Sequence, residues 1–354
     1  MMTGRRQSTA AFDIYTPGVP GLPGANVMCG LGATSIGSSN EELAFESAAG
    51  LDELEDLSAA LGRVAHGGSL VQEPYNTPFP TGPTYSPAWF YTVSLDGNVN
   101  WYRNDAANQP DGSPSWAGPK LVRTGWGGHA FYLNAGWKSS YYVDAAGNLY
   151  GNSHVGVYEG TDEWNGPKRA GWGWNSFKLV FSGGEHIIYG ILPNGSLRWY
   201  KHKGAPMGDA AHDWEGFTEV GTGWQHFLKV FSGGMGIIYA IRQDGVLIRY
   251  EHYGYLDGTP TWGPNKEIGT GWQHFAHVIG SNDGVIYAFS NDGRILWYRY
   301  GERPPPLTFV QGIGLVEEPQ IEPFFWEGPV TMQTGLPALQ SAFAVLAEPF
   351  RGPA

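Results

Sequence analysis

The sequence predicts an all-β protein, a five-bladed β-propeller whose blades have four strands each. Three features recur along the chain: a turn glycine, a tyrosine six residues before it, and a tryptophan fifteen residues before the tyrosine. The turn glycines are Gly97, Gly147, Gly195, Gly245 and Gly293, so their steps are 50, 48, 50 and 48 residues. The tryptophans are Trp126, Trp174, Trp224 and Trp272. A hairpin-rich unit of this period is typical of a propeller blade, and propellers have about 4–8 blades.

The complete copies of the unit have the pattern of four strands. In the fourth copy, apolar runs at residues 237–241 and 246–250 flank Asp244 and Gly245. Two β-rich runs around Asp-Gly are a strong hairpin signal, because a type I′ turn needs positive φ at both central residues. The run at 224–231 supplies a strand before the hairpin, and the run at 262–268 supplies one after it.

The first copy lacks its innermost strand, and the C-terminus supplies a replacement. The expected place, around Asn76, lies in the proline-rich stretch 76–83, and proline removes hydrogen-bond donors from a central strand. Residues 336–346 instead have apolar residues at the same spacing as the inner strand of copies two to five. We therefore predict that 336–346 closes the ring inside blade one, which protects strand edges.

Two segments lie outside the regular repeat. Residues 1–70 are predicted to be a flexible extension with an acidic amphipathic helix at about 39–66, and 71–354 form the propeller. Residues 41–56 contain seven acids and no base. This helix either packs on the propeller or docks a protein partner, and the sequence leaves both open. Residues 302–324, which contain a proline run near their start, interrupt blade five and are predicted to form a surface loop.

Composition excludes several classes of function. The net charge is 21 − 33 = −12, and no basic run is present, which argues against nucleic acid and anionic membranes as partners. The single Cys29 excludes an intrachain disulfide framework. Neither an apolar signal peptide nor a membrane-spanning stretch is found, so we predict cytoplasmic synthesis without membrane insertion. Non-classical release and extracellular display stay open.

The sequence contains no recognisable catalytic motif. No Gly-x-Ser-x-Gly, His-Glu-x-x-His or P-loop occurs, so we predict no catalytic residues, no enzyme activity, no cofactor and no metal. The histidines beside the repeat tryptophans, His129, His226 and His274, fall in different blades. A metal site needs clustered ligands, so these histidines are predicted to be hydrogen-bonding loop residues.

The repeat resembles the tachylectin-2 family of five-bladed lectins. The resemblance rests on Gly-Thr-Gly-Trp at 221–224, on Phe-Ser-Gly-Gly at 181–184 and 231–234, and on Trp-x-Gly-Pro-Lys at 116–120 and 164–168. It extends over residues 85–300 and, more weakly, over 325–346. The family binds N-acetylated hexosamines such as N-acetylglucosamine in pockets between neighbouring blades. The resemblance therefore implies a multivalent, non-catalytic lectin whose partners are glycans.

The predicted binding residues are flat aromatic side chains, glycines that admit a ligand close to the backbone, and adjacent polar groups. They are Trp126, Trp174, Trp224, Trp272, Gly183, Gly184, Gly233, Gly234, His226 and His274. Blade two departs from the pattern, because His129 replaces the phenylalanine of the other copies. The alternative function is a structural or host-recognition subunit of a larger assembly, docked through its N-terminal segment.

Overall fold

The structure is a computed structural model that describes residues 87–346, except for positions 110, 114 and 137 and the stretches 204–212, 303–306, 311–313 and 318–323. The predicted extension at 1–70 and its helix at 39–66 therefore lie outside the described residues. Among the residues that are described, no helix is long and apolar enough to cross a membrane.

The described chain forms five sheets of four antiparallel strands, which confirms the predicted five-bladed propeller. From the inside outward, the strands of blade one are Leu339–Ala344, Ala88–Ser94, Val99–Asn104 and Trp116–Arg123. Those of blade two are Phe131–Asn134, Ser139–Val143, Leu149–His154 and Trp164–Gly171. Those of blade three are Leu179–Gly184, Ile187–Ile191, Leu197–His202 and Trp214–Gly221. Those of blade four are Lys229–Gly234, Ile237–Ile241, Leu247–Glu251 and Lys266–Gly269. Those of blade five are His277–Gly280, Val285–Phe289, Ile295–Glu302 and Phe324–Gln333.

The C-terminal strand closes the ring. Leu339–Ala344 pairs antiparallel with Ala88–Ser94, and Phe343 stands opposite Tyr91 with the two rings stacked 5.1 Å apart. Each inner strand also contacts the inner strands of both neighbouring blades, so the five inner strands surround a central cavity of about 290 Å³.

The innermost strand starts later than predicted. Residues Trp174–Ser176, Trp224–His226 and Trp272–His274 each form one turn of 3₁₀-helix, and the strand of blade four begins only at Lys229. The residue before the 3₁₀ turn is a left-handed glycine, as at Gly223 with φ 82°. This conformation suits glycine and reverses the chain before the strand can start. The strand predicted for 262–268 also begins later, at Lys266, and Trp262 makes only an isolated bridge to His252.

The insertion in blade five is more regular than predicted. Leu307–Val310 pairs antiparallel with Gly314–Glu317, which makes a separate two-stranded sheet where the sequence predicted a loop. The proline run ends at residue 306, so the four residues after it keep the backbone donors that a strand needs. A fourth 3₁₀ turn, Asn282–Gly284, links the first two strands of blade five.

Buried tyrosine hydroxyl groups form hydrogen bonds across four of the five blade junctions. Three of them join a tyrosine on the second strand of one blade to a histidine at the end of the third strand of the next, or directly after it: Tyr91 Oη to His154 Nδ1 (2.6 Å), Tyr141 Oη to His202 Nδ1 (2.8 Å) and Tyr189 Oη to His252 Nδ1 (2.7 Å). Between blades five and one, Asn104 Nδ2 donates to Tyr287 Oη at 3.1 Å instead. These bonds, together with indole bonds such as that from Trp164 Nε1 to the Val122 carbonyl oxygen at 2.8 Å, join one blade to the next.

Burial disfavours the charged form of two of these histidines, His154 and His252. His154 Nε2 lies 2.7 Å from the Thr161 carbonyl oxygen, and a carbonyl can only accept, so Nε2 carries the proton and Nδ1 accepts from Tyr91. The His154 ring also stacks on Trp164 at 4.0 Å. Burial lowers the pKa of His154 and that of His252 below the ordinary histidine value.

We expect the propeller to lose stability in mild acid. Because the folded pKa of His154 and His252 is depressed, the unfolded chain binds more protons once the pH falls below about 6.5. Stability is therefore fully present above that pH and falls below it, by at most about 1.4 kcal/mol per pH unit for each histidine. Urea unfolding at pH 7, 6 and 5 measures this loss.

The matched variant is the double substitution His154→Asn and His252→Asn, since asparagine makes the corresponding bond in blade one. Asparagine does not titrate, so the variant should be less stable at pH 7 but should lose less stability between pH 7 and 5. An unchanged loss over this interval would show that other groups cause the acid sensitivity.

Candidate functional site

The repeat tryptophans lie where one blade meets the turn of the preceding blade. The backbone N–H of Trp126, Trp174, Trp224 and Trp272 donates to the carbonyl oxygen of the preceding turn glycine at 3.0–3.1 Å. At the fifth junction Leu336 makes the same bond to Gly293 at 3.0 Å. Five junctions with the same backbone hydrogen bond therefore lie on one face of the ring, here called the turn face. Four of them contain a tryptophan.

At three of these junctions the tryptophan has the same aromatic neighbours. Each indole packs against a phenylalanine at its own 3₁₀ turn, a tyrosine on the third strand and a tryptophan that leads into the outer strand. For Trp174 the ring centroids of Phe177, Tyr200 and Trp214 lie 5.5, 5.0 and 5.8 Å away. For Trp224 those of Phe227, Tyr250 and Trp262 lie 5.5, 5.0 and 5.7 Å away. For Trp272 those of Phe275, Tyr298 and Trp326 lie 5.6, 5.0 and 5.6 Å away.

The indole N–H of the repeat tryptophans has no acceptor. Trp126, Trp174, Trp224 and Trp272 are only 2–5% exposed, yet within the described part of the chain their Nε1 atoms make no hydrogen bond and are not sealed from solvent. The tryptophans around them are paired: Trp214 Nε1 donates to the Ala170 carbonyl oxygen at 2.7 Å and Trp262 Nε1 to that of Val220 at 2.7 Å. Buried tryptophans usually find an acceptor, so these four donors are open to a ligand or to water.

A glycine on the preceding blade fixes the position of three of these indoles. A Cβ atom at Gly171, Gly221 or Gly269 would lie 2.6, 2.7 and 2.6 Å from Nε1 of the tryptophan three residues later. Real Cβ atoms do not come this close, so a larger residue would displace the indole. These glycines were absent from the predicted site, although the Gly-x-Gly-Trp spacing could have identified them. The corresponding residue of the first copy is Arg123.

Polar groups lie beside two of the tryptophans. His226 and His274 are exposed, and the amide nitrogens of Gln225 and Gln273 lie 2.9 and 3.1 Å from their Nε2 atoms. Both predicted histidines therefore lie on the turn face next to a repeat tryptophan. Tyr250, which packs against Trp224, has a buried hydroxyl without a hydrogen-bond partner, and burial raises its pKa to about 12.

The predicted glycine pairs do not lie with the tryptophans. The strand Leu179–Gly184 starts next to the Trp174 turn and ends at Gly184, so Gly183 and Gly184 lie at its far end. A six-residue strand is about 20 Å long. Gly233 and Gly234 occupy the same place in blade four. The inner strand therefore separates the predicted glycine pairs from the predicted tryptophans, and a binding role for these glycines stays a prediction.

The Gly183 and Gly233 positions have a packing reason instead. A Cβ atom at either would lie 2.7 Å from the ring of a core tyrosine, Tyr189 or Tyr239. Gly184 and Gly234 have φ of 78° and begin the turn to the second strand. Glycine at these four positions therefore follows from the hairpin and the core.

The first junction has a different composition. His129 stacks on Tyr142 with centroids 4.0 Å apart, and burial lowers the pKa of His129. The hydroxyl of Tyr132 donates to the carbonyl oxygen of Trp126. Trp126 thus has an open indole N–H and keeps the outer tryptophan, Trp164 at 5.4 Å, but lacks the phenylalanine and the third-strand tyrosine of the three repeated junctions. In the described residues no three histidine, cysteine or acidic side chains are grouped as metal ligands.

Comparison with known proteins gives one family match. The family model described as Tachylectin matches residues 202–309, from the third strand of blade three into the insertion of blade five. No curated protein matches the chain. Among solved structures, the crystal structure of human WBSCR16 matches with 9% identity and a TM-score of 0.26. That match covers 66% of this chain and 65% of WBSCR16, which is just under two thirds of its length.

Proposed function

We propose, on the premise that this chain is a tachylectin-2-like five-bladed propeller, that it is a lectin for glycans with N-acetylated hexosamines. The family and the fold suggest a lectin-type, non-catalytic protein. The observation that carries the proposal to particular residues is the set of open indole N–H groups at the blade junctions. Trp174, Trp224 and Trp272 are the donors that we assign to the ligand.

The chemistry of an N-acetylhexosamine suits these junctions. Its acetamido carbonyl and hydroxyl oxygens are acceptors for an indole N–H, and its methyl and C–H groups can pack on aromatic carbon. A ligand acceptor that replaces water at the indole N–H contributes about 0.5–1.5 kcal/mol net, as an ordinary hydrogen bond does. The exposed His226 and His274 are placed to meet further hydroxyls.

The test combines a glycan array with calorimetry. We expect array binding to N-acetylhexosamine-terminated glycans and saturable heat with free N-acetylglucosamine. The variant with Trp174→Phe, Trp224→Phe and Trp272→Phe keeps aromatic rings but loses the three donors. Because a net hydrogen bond contributes about 0.5–1.5 kcal/mol, the Kd of each site should rise about 2- to 10-fold.

The control is Tyr253→Phe, a change at an exposed residue that follows the third strand of blade four, on the side away from the turn face. It should leave the Kd unchanged. Circular dichroism and melting must show that both variants are folded. A folded triple variant that binds as tightly as the unmodified protein would refute the assignment of the indole donors. Absence of binding to every N-acetylhexosamine at millimolar concentration would refute the lectin function.

A further inference from the structure

We propose that the ring holds three equivalent binding sites, at Trp174, Trp224 and Trp272, and that the Trp126 and Leu336 junctions do not take the same ligand. This inference rests on the proposed function and fixes its valency and geometry. Five blades and four repeat tryptophans would otherwise suggest five or four sites.

The three junctions agree closely in geometry. Their tryptophan–phenylalanine distances are 5.5, 5.5 and 5.6 Å, their tryptophan–tyrosine distances are all 5.0 Å, and their tryptophan–tryptophan distances are 5.8, 5.7 and 5.6 Å. Each also has the glycine that lets the indole nitrogen approach the preceding blade. A ligand that fits one of the three therefore meets the same wall and the same donor at the others.

At the first junction, three residues of this wall are replaced. Arg123 stands where the other junctions have the glycine, and its Cβ prevents the indole from taking the same place. His129 replaces the phenylalanine, and Asn152 replaces the third-strand tyrosine. The amide of Asn152 is 1% exposed, and neither its nitrogen nor its oxygen has a hydrogen-bond partner. Trp126 therefore presents its N–H among side chains of different shape and polarity.

The fifth junction lacks the donor altogether. Leu336 keeps the backbone bond to Gly293, but its side chain is apolar and packs against the core of blades five and one. Trp116 donates to Gln333 Oε1 at 3.3 Å, whereas the equivalent tryptophans donate to a backbone carbonyl. A cavity of about 210 Å³ remains there, lined among others by Leu336, Pro337 and Arg294. This junction keeps the corresponding tyrosine and outer tryptophan, Tyr102 and Trp116, but Leu336 and Leu339 stand in place of the indole and the phenylalanine.

The three sites are consecutive and lie on one face. They therefore occupy one arc of the ring, from the junction of blades two and three to that of blades four and five. A glycan surface can engage all three only when it meets the turn face along this arc. The Trp126 and Leu336 junctions do not take part in this contact. The glycan surface therefore binds one side of the ring and not its whole circumference.

The test uses the indole N–H signals as reporters, since each sits on the proposed donor. In ¹H–¹⁵N spectra, single tryptophan-to-phenylalanine variants assign the four signals. On titration with N-acetylglucosamine, we expect the signals of Trp174, Trp224 and Trp272 to shift with one common Kd, and that of Trp126 not to follow the same saturation curve. A Trp126 signal that follows the same curve, or fewer than three that do, overturns the inference.

Gly221→Ala tests the positioning glycine. The added Cβ should displace the Trp224 indole, so its signal should stop responding while those of Trp174 and Trp272 keep their Kd. The matched control is Gly127→Ala, where the nearest atom to the new Cβ is 3.4 Å away, and all three signals should still respond. An unaltered response of Trp224 in folded Gly221→Ala would contradict the positioning role. If no indole signal responds in the unmodified protein and the glycan array is blank, the lectin function fails, and this inference fails with it.

Discussion

Deleting residues 339–354 is expected to abolish cooperative unfolding of the propeller. The deletion removes the inner strand of blade one, Leu339–Ala344, and with it every backbone hydrogen bond to that edge of Ala88–Ser94. Phe343 is 5% exposed and packs between Tyr91 and Tyr132, at 5.1 and 6.4 Å. A domain with a net stability of about 5–15 kcal/mol cannot lose a whole inner strand and keep one folding transition.

Calorimetry and urea unfolding monitored by tryptophan fluorescence measure this effect. The truncated chain should show a broad transition or none, together with aggregation through the exposed strand edge. A synthetic peptide of residues 335–346 serves as the control, because adding it in excess should restore a sharp transition. A truncated protein that melts like the complete chain would disprove closure through blade one.

Removing two of the three proposed sites is expected to abolish most of the binding to a polyvalent glycan. In the variant with Trp224→Ala and Trp272→Ala only the Trp174 site remains, so the gain from simultaneous contacts disappears. That gain is about 10²- to 10⁴-fold when the spacing of the ligands allows several contacts. The Kd of the remaining site for free N-acetylglucosamine should stay unchanged. Surface plasmon resonance on dense and sparse glycan surfaces separates the two quantities.

Both tryptophans replaced in this variant, Trp224 and Trp272, are buried, so the substitutions to alanine also lower the stability of the protein. The double substitution Gly221→Ala and Gly269→Ala adds one methyl group beside each of the same two indoles and displaces them. It is a second, independent way to leave only the Trp174 site functional. Both variants should lose avidity to the same level if they remain folded. Equal binding of the folded variants and the unmodified protein on dense surfaces would show that avidity does not come from these sites.

The repeat was predictable because a propeller uses the same local signals in every blade. The hairpin turns and the apolar patterns of the strands, including the closing strand, are short-range features of the sequence. The turn glycine represented by Gly245 recurs in five copies, and the tryptophan represented by Trp224 recurs in four. The predicted start of the inner strand is too early. The 3₁₀ turn after Gly223 begins with the large apolar side chain of Trp224, so in the sequence its residues cannot be distinguished from the beginning of a strand. The hairpin formed by Leu307–Val310 and Gly314–Glu317 was not predicted, because the prolines just before it were interpreted as excluding regular strands from the whole insertion.

The site was only partly predictable, since it depends on contacts between blades. The predicted tryptophans, His226 and His274 lie on one face of the ring, whereas Gly183 and Gly233 belong to the other end of the inner strand. The sequence analysis did not identify His154, His202 and His252, although each lies seven residues after a turn glycine. The open indole N–H groups could not be foreseen, because a free donor becomes visible only when the surrounding acceptors have positions.

A crystal structure with N-acetylglucosamine at saturating concentration tests the central claim most directly. The account predicts the sugar at the Trp174, Trp224 and Trp272 junctions, with one of its oxygens about 2.9 Å from Nε1 of each tryptophan. It predicts neither the same pose at Trp126 nor a sugar at Leu336. Density for the sugar elsewhere on the ring, with these three indole nitrogens still unpaired, would contradict the account.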